Sequence, residues 1–127
     1  MDQKLNYAVG SVKSYCAGIN NNDLELISNS MHFPHYRIQI DGSVLIWNTE
    51  QEYLSSFRER TTESEWAYSK VDAIVGEVIS EQKCHITARF SRYKKNDVLI
   101  AEVAALYVVI FKEGRWGMNA GSVLSPA

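Results

Sequence analysis

His32 and His35, three residues apart, are the first side chains in the chain whose types and spacing could do chemistry. Imidazole titrates near neutrality, so either ring could carry a proton, and a pair could supply two metal ligands. No third ligand follows, and Pro34 between them denies the pair a helical presentation. The expectation is therefore no metal. His35 then reads as a general base or polar pocket residue, with the alternative that both rings bond to backbone or cap a helix. Arg37 and Gln39 follow His35 at two-residue steps, and on a strand the three share one face. A guanidinium there suits a carboxylate or phosphate held through two parallel bonds. A structural ion pair or an exposed position suits Arg37 equally. Trp47, Tyr53, Phe57 and Trp66 supply rings that fit a core or a cavity wall against a flat ligand. Asn119 shares strand parity with Gly117 and Gly121 and is expected at the same cavity.

The chain that must position these groups has 127 residues, enough for one domain spanning 1–127 with a real core. Its hydrophobic content of 46% supplies that core and argues against disorder. A formal net charge of -2 argues against a broad grip on nucleic acid, which needs a basic stripe. The densest basic cluster, Arg89, Arg92, Lys94 and Lys95, reads as a solvated strand end and turn. Cys16 and Cys84 lack metal spacing and read as free thiols of a reducing compartment. Met1-Asp2-Gln3-Lys4 has no apolar leader character, and no apolar run reaches the ~20 residues of a membrane helix. The cytoplasm is the expected location. There is no glycine-rich phosphate loop and no GxSxG elbow, so no cofactor is expected.

Leu5, Val9, Val12, Cys16 and Ile19 recur at three- and four-residue steps and predict a first amphipathic helix, with Tyr15 beside the stripe. Gly18 and Asn20-Asn21-Asn22 break it. Asn22 with Glu25 predicts the cap of a short second helix, and Thr49 with Glu52 that of a third, which carries Tyr53, Leu54 and Phe57 inward. Between them, Tyr36 to Ile40 and Ser43 to Trp47 read as strands joined by a two-residue Asp41-Gly42 turn. Four long strands follow, roughly Trp66 to Ser80, Lys83 to Tyr93, Val98 to Phe111 and Arg115 to Leu124. Long antiparallel strands twist and coil, and the curved sheet needs a cover that the three helices provide. Helices gathered before a meander of strands make the fold α+β. In the third long strand both parities are apolar. Leu99 to Val109 on alternate positions meet the helices, and Ile100, Ala104, Leu106, Val108 and Ile110 face outward with Glu102, which is expected to pair with Arg89 or Arg92.

This order of elements resembles the nuclear transport factor 2-like superfamily, which includes SnoaL-like polyketide cyclases and ketosteroid isomerases. Local features agree: Tyr15 late in the first helix, Asn22-Asp23-Leu24-Glu25 opening the second, His32-Phe33-Pro34-His35 leading into the first strand, and Phe111-Lys112-Glu113-Gly114-Arg115-Trp116 at the last turn. The resemblance covers nearly the whole chain and implies a cone-shaped curved antiparallel or mixed sheet roofed by helices. It also implies homodimers through the outer sheet face. A match without gaps puts Tyr15 at the isomerase tyrosine, Gln39 at the proton-shuttle acid and Tyr107 at the second acid. Glutamine cannot take a proton at neutral pH, so that isomerase chemistry is in doubt.

The leading expectation is a small-molecule pocket protein, a SnoaL-like isomerase, cyclase, lyase or hydrolase that works without a cofactor. Tyr15 and Tyr107 would donate to a ligand oxygen, His35 would be the base, and Arg37 would anchor an anion. His32, Gln39, Trp47, Tyr53, Phe57 and Asn119 would line the ligand. The alternative is a non-catalytic homodimer that binds a ligand or a protein. No nucleic acid and no membrane is expected as a partner.

Overall fold

A computed structural model of the chain describes residues 3–125 apart from the Glu63 side chain. Met1 and Asp2, half of the segment read above for a leader, lie outside the described residues, as do Pro126 and Ala127. The elements run α1 (Gln3–Asn21), α2 (Leu24–Asn29), β1 (Met31–Ile38), β2 (Val44–Trp47), α3 (Glu50–Glu63), β3 (Trp66–Ser80), β4 (Lys83–Lys94), β5 (Leu99–Lys112) and β6 (Arg115–Ser125).

The apolar stripe of α1 is buried where its period predicts. Ala8, Val12 and Cys16 lie in the core, with Leu5, Val9 and Ile19 packed against it. Asn22 does not cap α2. It takes a left-handed conformation (φ 52°) in the turn that closes α1, and the Asp23 amide donates back to the Gly18 carbonyl at 2.9 Å. Asp23 is therefore the cap, its carboxylate accepting from the Leu26 amide at 3.1 Å. The Thr49–Glu52 capping box of α3 forms as expected, with reciprocal bonds of 3.2 and 3.1 Å.

The six strands form one sheet in the order β2-β1-β6-β5-β4-β3, antiparallel throughout except for the parallel pair β1 and β6. The sheet is open, with β2 and β3 at its edges. α1 lies across β3, β4, β5 and β6, and α3 touches α2 and β2. The core fills the space beneath the helices, from Val12 and Tyr53 above to Ile86, Tyr107 and Val109 on the sheet. This is a mixed α+β fold with its helices on one face.

Two local differences from the sequence reading matter for the site. β1 begins at Met31, five residues before the expected Tyr36, and contains Pro34 after a cis peptide bond. Proline is tolerated because the pairing of β1 with β6 is interrupted between Met31 and Tyr36. The hairpin after it has three loop residues, not two. The Gln39 amide donates to the Ser43 carbonyl at 2.8 Å and Gly42 to Gln39 at 2.9 Å, so only Gly42 needs a positive φ (87°). Asp41 accepts from the Ser43 amide and hydroxyl, which occupies it in the turn.

The sides of β5 separate as parity predicts: Ala105, Tyr107 and Val109 are in the core, and Leu106, Val108 and Ile110 are half-buried on the other face. Glu102 forms no ion pair among the described residues. The pairs found there are Lys4–Glu81 and Lys94–Glu65, both 2.9 Å. No helix among the described residues is long and apolar enough to cross a membrane.

Candidate functional site

A cavity of about 270 Å³ opens between the sheet and the helices, with Tyr15 and Ile19 of α1 on one side and Tyr107, Ala105 and Val103 of β5 opposite. Arg37 of β1 reaches in from the far side of β6. Phe57, Arg60 and Thr61 of α3, then Ser64, Trp66 and Ser69, complete the wall with Phe90 and Arg92 of β4 and Val123 of β6. Most of this wall is apolar, and its charged side chains are all arginines.

Ser69 is fixed from two directions. Its hydroxyl accepts from the Trp66 indole at 2.8 Å, and its backbone is bracketed by the Asn20 amide, which donates to its carbonyl at 2.7 Å and accepts from its N–H at 2.8 Å. Asn20 thereby ties the end of α1 to β3. Arg37 fits because β6 has no side chain beneath it: a Cβ on Gly121 would stand 3.1 Å from Arg37 Nε and 3.3 Å from the Tyr107 ring.

Arg37 sits among aromatic faces, 5.6 Å from the Trp47 centroid and 5.9 Å from that of Tyr107. Its Nη2 donates to His35 Nε2 at 3.1 Å, while its Nε is buried without a partner. Burial works against its charge, but the phenols of Tyr15, Tyr53 and Tyr107 outweigh this, and Arg37 stays protonated. No carboxylate lines the cavity, and Arg37 makes no ion pair among the described residues.

His35 is fully buried. Its Nδ1–H donates to the Met118 carbonyl at 3.0 Å and its other nitrogen accepts from Arg37, which fixes the neutral tautomer. Burial, with the Arg37 charge second, pulls its pKa down to about 3. His32 is buried too, donating from Nε2 to the Arg115 carbonyl at 3.1 Å, and burial lowers its pKa. The Tyr15 hydroxyl is hydrogen-bonded to that of Tyr53, which lies behind it. Burial raises Tyr15 and Tyr107 above the ordinary phenol range.

No family model and no curated protein sequence matches the chain. Solved structures do. A nuclear transport factor 2-like protein from Cytophaga hutchinsonii superimposes with a TM-score of 0.73 at 16% identity, over 99% of this chain and 100% of that one. A nuclear transport factor 2-like protein of unknown function from Pseudomonas putida gives 0.77 at 7% identity, over 97% and 87%. A ketosteroid isomerase-like protein from Erwinia carotovora atroseptica gives 0.70 at 12%, over 99% and 100%. The chain has the nuclear transport factor 2-like fold. At these identities the likeness is one of fold, and the chemistry of this nuclear transport factor 2-like chain has to come from its own side chains.

Tyr15, Arg37, Phe57 and Tyr107 of the expected set line the cavity. Trp47 and Tyr53 form a layer behind it, their rings 5.0 Å apart edge to face. His35 is not on the wall, and its lone pair is taken by Arg37, so the structure holds it as a support for that guanidinium. His32 is likewise committed to a β6 carbonyl. Gln39 lies at the base of the β1–β2 turn, outside the cavity. Asn119 also lies outside it. Between Met118, which pairs with Val109, and Ala120, which pairs with Val108, it is the extra residue of a bulge, and its amide reaches the Pro34 carbonyl at 3.4 Å. The bulge puts Gly117 and Gly121 on opposite faces, which defeats simple parity.

Arg60 and Arg92 were not expected here. Arg60 follows Phe57 by three residues on α3, a spacing that puts the two on neighbouring faces and could have revealed it. Arg92 shares parity with Phe90, the same signal on β4. Tyr107 offers a direct check. Tyr107 packs in the core and lines the cavity, so Tyr107→Phe should cost under about 1 kcal/mol in denaturant unfolding. A loss above about 2 kcal/mol would mark a structural hydrogen bond instead.

Proposed function

We infer that this chain is a small-molecule pocket protein whose ligand is an organic anion, anchored at Arg37 with the Tyr15 and Tyr107 hydroxyls beside it. One observation carries this reading: a guanidinium with a buried, unpartnered Nε in a cavity that no carboxylate lines among the described residues. A ligand carboxylate can meet the free Nε and a neighbouring guanidinium nitrogen through two parallel bonds. Arg60 and Arg92 add positive charge to the same cavity in a chain whose net charge is -2, which favours entry of anions. The apolar remainder of the wall suits a hydrocarbon or aromatic body. At about 270 Å³ the space is just below the usual range of about 300–1,000 Å³ for ligand pockets, which points to a compact ligand.

The test is calorimetric titration with benzoate and with its neutral analogue benzamide. Benzoate should bind with an affinity that falls as salt rises, and benzamide should not bind. Equal behaviour of the two, or no binding of any in a panel of small carboxylates, sinks the reading.

The same chain is proposed to pair with a second copy through the outer sheet face. Ile46, Tyr36, Ala120 and Val108 are successive partners across β2, β1, β6 and β5, and Val44, Ile38, Ser122 and Leu106 form the next row. Val44 and Ile46 are each 52% exposed, so this row leaves apolar surface uncovered in one chain. Sedimentation should give a dimer that Ile46→Asp splits; a monomer in the unaltered protein would overturn the pairing. A cytoplasmic location is proposed on the buried thiol of Cys16.

A further inference from the structure

The cavity is elongated along β5, where Tyr107, Ala105 and Val103 form its floor. Arg37 stands at the Tyr107 end, because it packs on Gly121, the partner of Tyr107 on β6. Arg92 stands at the other end, two residues beyond Phe90 and paired with Ala101. Tyr107 pairs with Ile86 on β4, so six residues separate the level of Arg37 from Arg92, about 20 Å of strand that two long side chains shorten from both ends. Arg60 belongs to the first end. Its guanidinium lies 5.9 Å from the Trp47 centroid, and that of Arg37 lies 5.6 Å from the same ring. Between the ends the wall is apolar, with Phe57, Phe90, Ile19 and Val123. The Arg92 end also carries two hydroxyls. Ser69 pairs with Arg92 across β3 and β4, and its hydroxyl accepts from the Trp66 indole at 2.8 Å. The Ser64 hydroxyl accepts from the Trp66 amide at 3.0 Å. Both serines line the cavity, and a hydroxyl that accepts keeps its own proton to donate. Arg92 makes no ion pair among the described residues, and Glu65, next to Trp66 in the chain, is bound to Lys94 at 2.9 Å.

We propose that the ligand of this cavity is a rod-shaped dicarboxylate with a flat apolar body, one carboxylate at Arg37 and the second at Arg92 with the Ser64 and Ser69 hydroxyls. Its first carboxylate rests on the anion-pocket reading, and its second goes beyond that reading. Guanidiniums at both ends of a cavity that no carboxylate lines repel one another, and a ligand with a negative group at each end meets both. The apolar stretch between them disfavours charge in the middle of the ligand, where it would lose water and gain no partner. The Phe57 and Phe90 rings suit a flat hydrocarbon body there. Two carboxylates on neighbouring carbons would both fall at one end. The distance between the acid groups, and not their charge alone, therefore decides which dianion fits.

The experiment is calorimetric titration with benzoate, terephthalate and phthalate at neutral pH and one salt concentration. Terephthalate carries its carboxylates at opposite ends of the ring, and phthalate carries the same charge at one end. Terephthalate should bind at least about ten-fold tighter than benzoate, and phthalate should gain less than about three-fold. Arg92 is exposed, so Arg92→Gln should fold, and it should cut the terephthalate advantage to that of phthalate. Arg60→Gln should weaken benzoate and terephthalate alike and keep their ratio. An equal gain for phthalate, an advantage that survives Arg92→Gln, or one lost as fully in Arg60→Gln overturns the proposal. Benzoate binding with no terephthalate advantage leaves the anchor at Arg37 standing and removes only the second carboxylate site. If none of the three binds, both readings fall.

Discussion

Arg37→Met is expected to weaken benzoate binding by about 2–5 kcal/mol, roughly thirty-fold to several-thousand-fold, and to lower the melting temperature of the ligand-free protein. The two effects have one cause, the loss of the guanidinium. In the folded chain its charge is held against burial by the phenols of Tyr15, Tyr53 and Tyr107, with hydrogen bonds to His35 and Tyr15. Methionine keeps an apolar tail against Trp47 and Tyr107 but supplies no donor. His35 Nε2 is then left without its partner, at about 1–3 kcal/mol. Calorimetric titration and thermal melting with and without benzoate check both halves. Unchanged affinity would move the anchor elsewhere, and a higher melting point would mean that the buried charge is a net burden on the ligand-free fold.

The second large effect is acid sensitivity set by His35. Its folded-state pKa is depressed from 6.5 to about 3 by burial and by Arg37. Above pH 6.5 both folded and unfolded chains hold it neutral, and it has no effect on stability. As the pH falls below 6.5 the unfolded chain takes up a proton that the folded chain refuses, so stability is lost progressively down to about pH 3. At about 1.4 kcal/mol per pH unit the full loss from this one ring is on the order of 5 kcal/mol. His32, lowered by burial, adds a loss of the same sign. His35→Asn should keep the bond to the Met118 carbonyl through its amide and lose the acceptor for Arg37. Its stability at pH 7 should drop by about 1–3 kcal/mol, and its curve between pH 6 and 4 should be flatter than that of the unaltered protein. Denaturant unfolding across that range decides it: parallel curves would mean that other groups govern the acid transition.

The fold was legible wherever a period ran long enough to average out local accidents. β3 was read with the bounds it has, and the other long strands within two residues, because alternation over eleven or more residues leaves little choice of register. The capping box at Thr49 was equally plain, since two side chains each satisfy an orphan amide of the other's segment. The site was legible in Tyr15, Arg37, Phe57 and Tyr107. It was not legible where the backbone departs from strict alternation. β1 looked as if it should begin after Pro34, because the break in its pairing that admits proline is a property of β6, not of the proline. Asn119 looked as if it faced inward because a bulge cannot be seen from one strand. His35 looked like a base because its titration in isolation says nothing of the guanidinium that occupies its lone pair. Arg92 was assigned to the outer surface with Glu102, although its parity with the core residue Phe90 pointed inward.

Asn119 is one residue more than β5 requires beside it. Met118 points into the core ahead of it, and Gly121 lies under Arg37 after it. A chain shortened by Asn119 would therefore keep every later side chain of β6 on its present side and change only the path of the strand past Pro34. Loss of Ser122 would be different in kind, because it would turn Val123 out of the cavity wall. The strand thus carries something like a reading frame, forgiving of a deletion at one position and corrupted by a deletion three residues downstream.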